Sequence, residues 1–263
     1  MALSPLLLLS LYSMGAIATK PALVTADVRL NGRGPFRFLV DTGAESTLLQ
    51  SALAAELGIE PQFRVELVTV NGSSLVPGAR LRGLVVGATR LPELEILFDN
   101  LTQARQLDPA IVGVLGANAL SHFDFQILPS AGRLESSAIR PSAGEVIPFS
   151  LLNGRMIIEA RMGQENLPLV LDSGASHVVL FRTPLAMAKT RPVPSAVNTM
   201  DGARNVVPTL WTADMTFSGR LRVGMLPAAI VQRPEGQAAG LLPASVFKKI
   251  FVDHARQELV VER

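Results

Sequence analysis

Phe38-Leu39-Val40-Asp41-Thr42-Gly43-Ala44 is repeated later in the chain as Leu169-Val170-Leu171-Asp172-Ser173-Gly174-Ala175. Each copy is an apolar run of strand type that ends in a carboxylate, then a small hydroxyl residue, glycine and alanine. A lone Asp-Thr-Gly triplet would mark no more than a tight turn. Two copies, each closing an apolar run at a similar point in one half of the chain, ask for a common cause.

The likeness extends outward from both loops. Upstream, Asp27-Val28-Arg29-Leu30-Asn31-Gly32 matches Glu159-Ala160-Arg161-Met162-Gly163, a strand and turn before each Asp, as duplication of a whole unit requires. Downstream, Asn71-Gly72 and Asp201-Gly202 match, with the glycines 31 and 30 positions after their respective Asp. Gly113-Val114-Leu115-Gly116 aligns with Gly240-Leu241-Leu242-Pro243, and a strand pair follows each, 123–127 with 132–135 and 250–253 with 258–262. The chain reads as two similar lobes in tandem.

These residues resemble the pepsin-like and retropepsin-like aspartic proteases, and look closest to the retropepsin-like branch found in many bacteria, here with both lobes fused. The resemblance covers nearly everything after about residue 22. It implies an all-β fold with short helices: a bilobal acid-protease fold of two retropepsin-like β-barrel lobes related by a pseudo-two-fold axis. Carried over by position, Asp41 and Asp172 would be the catalytic pair. Thr42, Gly43, Ala44, Ser173, Gly174 and Ala175 would support the loops, with the two hydroxyls bonding across the axis. The segments ending in Gly116 and Pro243 would pack beneath. Asn71-Gly72 and Asp201-Gly202 favour hairpin turns and would be flaps closing over substrate. Pepsin-like flaps usually present a tyrosine, but the only tyrosine here is Tyr12.

The expected activity is aspartic endopeptidase. Two closely apposed carboxylates cannot both ionise, so the pair can hold one proton and activate water without a metal. The ionised group takes a proton from water while the protonated one polarises the scissile carbonyl, and the titration belongs to the pair rather than to either member. Glycine at 43 and 174 suits a sharp loop that brings backbone N–H groups onto the carboxylates. Alanine at 44 and 175 supplies no hydroxyl to lower the dyad's pKa, which predicts a weakly acidic optimum of ~4.5–6.5. Pro243, where the first lobe has Gly116, lacks an N–H, so the support under Asp172 should be built differently. A catalytically silent peptide-binding module of the same fold is the alternative.

Composition sets limits. A chain of 263 residues, 48% hydrophobic, can bury two modest cores. No cysteine is present, which excludes disulfides, thiolate nucleophiles and a lipid anchor on cysteine. A net charge of +2 without a long Lys or Arg run gives nucleic acid no footprint. No cofactor or metal is expected. The partner expected is a peptide or protein substrate, bound extended as an added strand with alternate side chains in pockets. The chain reads as a monomer with an internal pseudo-dimer.

Residues 2–18 are mostly apolar and end in Ala16-Ile17-Ala18, a small-x-small pattern, although no Lys or Arg precedes the apolar run. The expectation is a signal peptide or N-terminal anchor over 1–18 and export to the periplasm or outside, with a membrane tether as a variant. The lobes are placed at 19–135 and 146–263, joined by a linker over 136–145.

Apolar runs bounded by Gly, Pro and Asn predict strands over 36–40, 65–70, 81–86 and 146–151. The best helical pattern is 47–57, stopped at Gly58, with shorter helices after Gly116 and Pro243. Gly32-Arg33-Gly34 lacks the third glycine of a dinucleotide loop. His122, His177 and His254 are scattered, and Ser176 lies outside a nucleophile elbow, so no triad is read from them. Glu45 reads as a solvated or lobe-packing residue, and Trp211 as core or pocket wall.

Overall fold

The strand that leads toward the first catalytic-type loop is set up by strict alternation: Ala26, Val28 and Leu30 are buried while Asp27 and Arg29 face solvent. In this computed structural model, residues 6–7, 11–14, 23–69, 72–136, 139–185, 187, 191–199, 204–231 and 236–263 are described. They are mostly strand, with short helices.

The two lobes repeat one strand order. In the first, Thr25–Leu30 pairs antiparallel with Arg33–Val40, which lies parallel to Ile111–Leu115. Ile111–Leu115 also pairs with Thr47–Gln50, which runs parallel to Leu94–Asp99. Leu94–Asp99 pairs with Gly72–Leu81, the second arm of a hairpin with Phe63–Thr69. In the second, Arg155–Met162 pairs with Glu165–Asp172, which lies parallel to Gly240–Pro243. Gly240–Pro243 pairs with Val178–Leu180, which runs parallel to Pro227–Ile230. Pro227–Ile230 then joins a hairpin of Val193–Thr199 and Arg204–Trp211.

A shared sheet joins the lobes. Phe125–Leu128 of the first pairs with Lys249–Asp253 of the second, and Glu258–Glu262 pairs with Glu145–Leu152. Its apolar face carries Phe125, Ile127, Ile147, Phe149, Ile250, Val252, Leu259 and Val261, all buried. The largest hydrophobic cluster therefore runs through both lobes instead of forming the two separate cores that composition suggests.

Several elements differ from the sequence reading. The 47–57 pattern is not one helix: Thr47–Gln50 is a strand buried between two neighbours, and only Ser51–Glu56 is helical. Tertiary pairing overrides local periodicity there. Gly58 does follow the helix in a left-handed conformation, φ +68°. The 81–86 run breaks at Arg82-Gly83 into the end of Gly72–Leu81 and the short strand Leu84–Val86. A helix follows Gly116 (Ala117–Leu120) and a single 3-10 turn follows Pro243 (Ala244–Val246). The expected linker begins inside the strand Arg133–Ser136 and ends inside Glu145–Leu152.

Of the apolar N-terminal segment, Leu6–Leu7 runs parallel to the hairpin arm Phe63–Thr69, and Leu11–Met14 runs antiparallel to the arm Val193–Thr199. No helix among the described residues is long and apolar enough to cross a membrane.

Candidate active site

Each Asp stands where a central strand leaves its lobe. The Asp41 N–H donates to Leu115 O at 3.0 Å, tying the first loop to the parallel neighbour of its own strand. Asp172 ends Glu165–Asp172, in register with Pro243. The loops then turn back on themselves in the same way. Asp41 Oδ1 accepts the N–H groups of Gly43 and Ala44, both at 3.0 Å. Asp172 Oδ1 accepts those of Gly174 and Ala175 at 2.7 and 3.0 Å.

Glycine at 43 is required by what faces it. A Cβ there would lie 2.6 Å from Asp172 Cγ, inside the carboxyl group of the opposite lobe. The two loops thus meet backbone to carboxyl, and both Asp residues are 0% exposed.

The hydroxyls hold the loops in register. Thr42 Oγ1 donates to Leu171 O at 2.6 Å and accepts the Ser173 N–H at 3.0 Å. In mirror fashion, Ser173 Oγ donates to Val40 O at 2.7 Å and accepts the Thr42 N–H at 3.1 Å. Four buried hydrogen bonds therefore run between lobes, each hydroxyl both giving and receiving.

Electrostatics fit a shared proton. Burial, then the charge of Asp41, pushes the Asp172 pKa well above the carboxylate range, against the pull of the Gly174 and Ala175 N–H groups. Both loop N–H groups go to Asp172 Oδ1, so the buried Oδ2 is not committed to holding the loop.

Beneath the loops the lobes diverge in a matched way. In the first, the Gly116 N–H donates to Thr47 Oγ1 at 3.2 Å, and Thr47 Oγ1 and N–H both donate to Asn118 Oδ1. In the second, Val178 stands six residues after Asp172, as Thr47 does after Asp41, so the missing N–H of Pro243 leaves no acceptor stranded. Polar support on one side is apolar support on the other.

Sequence reasoning left Glu45 undecided and missed its partner. Glu45 packs between the lobes: its Oε1 meets Arg155 Nη2 at 2.8 Å, and Asn153 Nδ2 donates to the same oxygen at 3.1 Å. Arg155 is 7% exposed, rare for an arginine. A sequence signal was available, since Asn153-Gly154 makes a tight hairpin (φ +50° and +79°) that presents Arg155.

Other expected residues fall elsewhere. Asn71, Asp201 and Gly202 lie outside the described residues. Gly72 opens the returning arm of its hairpin, with Thr69 opposite. His177 is half-buried against Ser176 Oγ at 2.9 Å, with burial holding its pKa below the usual value. His254 lies in the turn after Lys249–Asp253, its ring near those of Phe125 and Phe149. Trp211 ends its strand 41% exposed, which rules out the core reading and leaves that of a pocket wall.

Comparison with known proteins bears on the first lobe most directly. Residues 26–122 match the family model described as "gag-polyprotein putative aspartyl protease". No curated protein matches the sequence. Among solved structures, similarity extends to a retropepsin-like aspartic protease from Rickettsia conorii, at 16% identity over 47% of this chain and 95% of that one, with a TM-score of 0.30. Basic 7S globulin from soybean is similar at 13% identity over 97% of this chain and 94% of its own, with a TM-score of 0.48.

Proposed function

We propose, for a chain whose residues 26–122 match the gag-polyprotein putative aspartyl protease family, that it is an aspartic endopeptidase with one active site made by both lobes. The observation that carries this reading is the mirrored pair of loops. Each fixes one carboxylate oxygen on two N–H groups, and Gly43 of the first faces the Asp172 carboxyl of the opposite lobe.

The pair holds one proton. Its ionised member takes a proton from water as the water oxygen attacks the scissile carbonyl carbon, and its protonated member gives its proton to the carbonyl oxygen. The gem-diol then collapses: one of its hydroxyls returns a proton to the ionised carboxylate as the C=O re-forms, the C–N bond breaks, and the leaving amine takes the proton that came from water, so the dyad again holds one proton. No cofactor enters this sequence of steps.

Substrate is a peptide or protein lying extended between the hairpins Phe63–Thr69/Gly72–Leu81 and Val193–Thr199/Arg204–Trp211. Support comes from the chain itself: an arm of each hairpin accepts a strand from the N-terminal segment by backbone pairing. Because both carboxyls are wholly buried, admission of a peptide requires the segments over them to move. The apolar segment 1–18 is proposed to direct export or to tether the protein, which fractionation of expressing cells checks.

The test is cleavage of an unbiased peptide library by the full chain across about pH 3 to 8. Asp41→Asn and Asp172→Asn should each lower kcat/KM by about 10²–10⁴-fold or more with the fold retained. Peptide binding without cleavage at any pH would move the protein to the silent-module reading.

A further inference from the structure

We propose that a cavity beside the first catalytic loop makes this site select a basic side chain, arginine above all, on the amino-terminal side of the bond that is cut. The inference rests on the protease reading above and names a substrate class for it.

The cavity, about 430 Å³, is walled in part by Ser46, Val65, Glu93, Glu95, Leu97 and His122. Ser46 stands at the exit of the catalytic loop, two residues after Ala44, whose N–H holds Asp41 Oδ1. Val65 belongs to the hairpin arm Phe63–Thr69, which accepts a parallel strand with Leu6 opposite Leu67 and Leu7 opposite Val68. A substrate strand held in that way brings to Val65 the residue two places before the one opposite Leu67. Residues opposite one another share a face of the sheet, so this side chain falls on the side of Val65 that lines the cavity. The same N-terminal segment goes on to the second lobe, where Leu11–Met14 pairs with Val193–Thr199. The part of a bound strand that lies on the first lobe is therefore its amino-terminal part.

The wall has the chemistry of a cation site. Glu95 Oε1 pairs with Arg80 at 3.3 Å and Glu93 Oε2 with Arg82, which leaves Glu95 Oε2 and Glu93 Oε1 uncommitted. Both arginines stand outside the cavity, 62% and 84% exposed, in pairs that solvent screens. Ser46 is a second and independent sign. It is only 9% exposed, and no hydrogen-bond partner among the described residues engages its hydroxyl. A buried hydroxyl left open toward a cavity calls for a ligand group. Arginine carries five N–H donors in a planar fork, enough to serve two carboxylate oxygens and the hydroxyl together, where lysine carries three on one nitrogen.

The second lobe has no counterpart. Leu97 pairs with Leu48 and Ala229 with Val179, each seven positions after its Asp, so Pro227 and Met225 take the places of Glu95 and Glu93. A peptide with one basic residue thus gains by binding in a single direction.

The test is a pair of peptides that differ by arginine against citrulline, which keeps the shape and loses the charge, placed in turn at each position before the cut bond. At one of these positions, kcat/KM of the full chain should favour arginine by about 5- to 20-fold. Glu93→Gln and Glu95→Gln should each reduce this ratio about 3-fold, and together bring it near one, while the citrulline peptide is cut at the wild-type rate. Arg80→Gln and Arg82→Gln release the same carboxylates and should raise it. A merely structural role for the glutamates would slow both peptides alike.

Equilibrium binding of the same peptides to the full chain reads the ratio without turnover. A preference for the arginine peptide with neither peptide cut would strike the protease reading and leave this one standing. Equal rates and equal affinities for the two peptides in the wild type, or a ratio unmoved by the double glutamine variant, would overturn it.

Discussion

The geometry at single residues makes the sharpest predictions. Gly43 faces the Asp172 carboxyl so closely that Gly43→Ala must push the loops apart. Cleavage should fall at least about 10²-fold while circular dichroism stays native, because a misplaced dyad loses its pre-organisation. At Asp172 the raised pKa means that the native state binds this proton more tightly than the unfolded chain. Stability from that group is complete below the ordinary carboxylate value of 3.8 and is lost as pH rises through the raised one. Asp172→Asn, neutral at every pH, should therefore melt higher than wild type at neutral pH, with the gain vanishing in acid. A variant that melts lower than wild type at neutral pH would show that the carboxylate is not strained there. Ala44 and Ala175 present no hydroxyl to the dyad, and the expected optimum of ~4.5–6.5 follows from this. Ala44→Ser should shift the acid limb downward, and a wild-type rate still climbing below about pH 3 would contradict the argument.

At the scale of elements, the crossed hydroxyl bonds and the unequal supports matter most. Thr42→Val strands Leu171 O and the Ser173 N–H together, which should cost about 2–3 kcal/mol in urea unfolding. Thr47→Val should cost about 1–3 kcal/mol, because the Gly116 N–H loses its acceptor. The second lobe, with Val178 and Pro243, already stands without that bond. Much of this was legible in the sequence: the repeated loops, their supports and the strand character of 36–40 and 146–151 came from spacing and from turn residues. What was not legible depended on tertiary neighbours. Thr47-Leu48-Leu49-Gln50 has a helical look, but strands on both sides bury it, and no local pattern reports that. Arg155 went unread, since its partner Glu45 lies 110 positions earlier in the chain. Of the two readings of Trp211 the core one failed, because a large aromatic at a strand end can face outward as easily as inward.

Across the whole molecule, the shared sheet determines how rigidly the two half-sites meet. Its apolar face merges the lobes into one core, and Arg140 clamps it from the connecting segment by bonding Asp253 and Glu258 at 2.7 Å each. Arg140→Ala should lower the melting temperature, and it should lower kcat more than it raises KM if lobe alignment limits catalysis. The central claim is that one chain makes one site from two loops, and stoichiometry tests it most directly. Calorimetric titration of the full chain with a statine-type peptide, whose hydroxyl takes the place of the attacking water, should give one site per chain. Asp41→Asn and Asp172→Asn should each abolish that binding. Binding that survives either substitution, or more than one site per chain, would contradict a shared dyad.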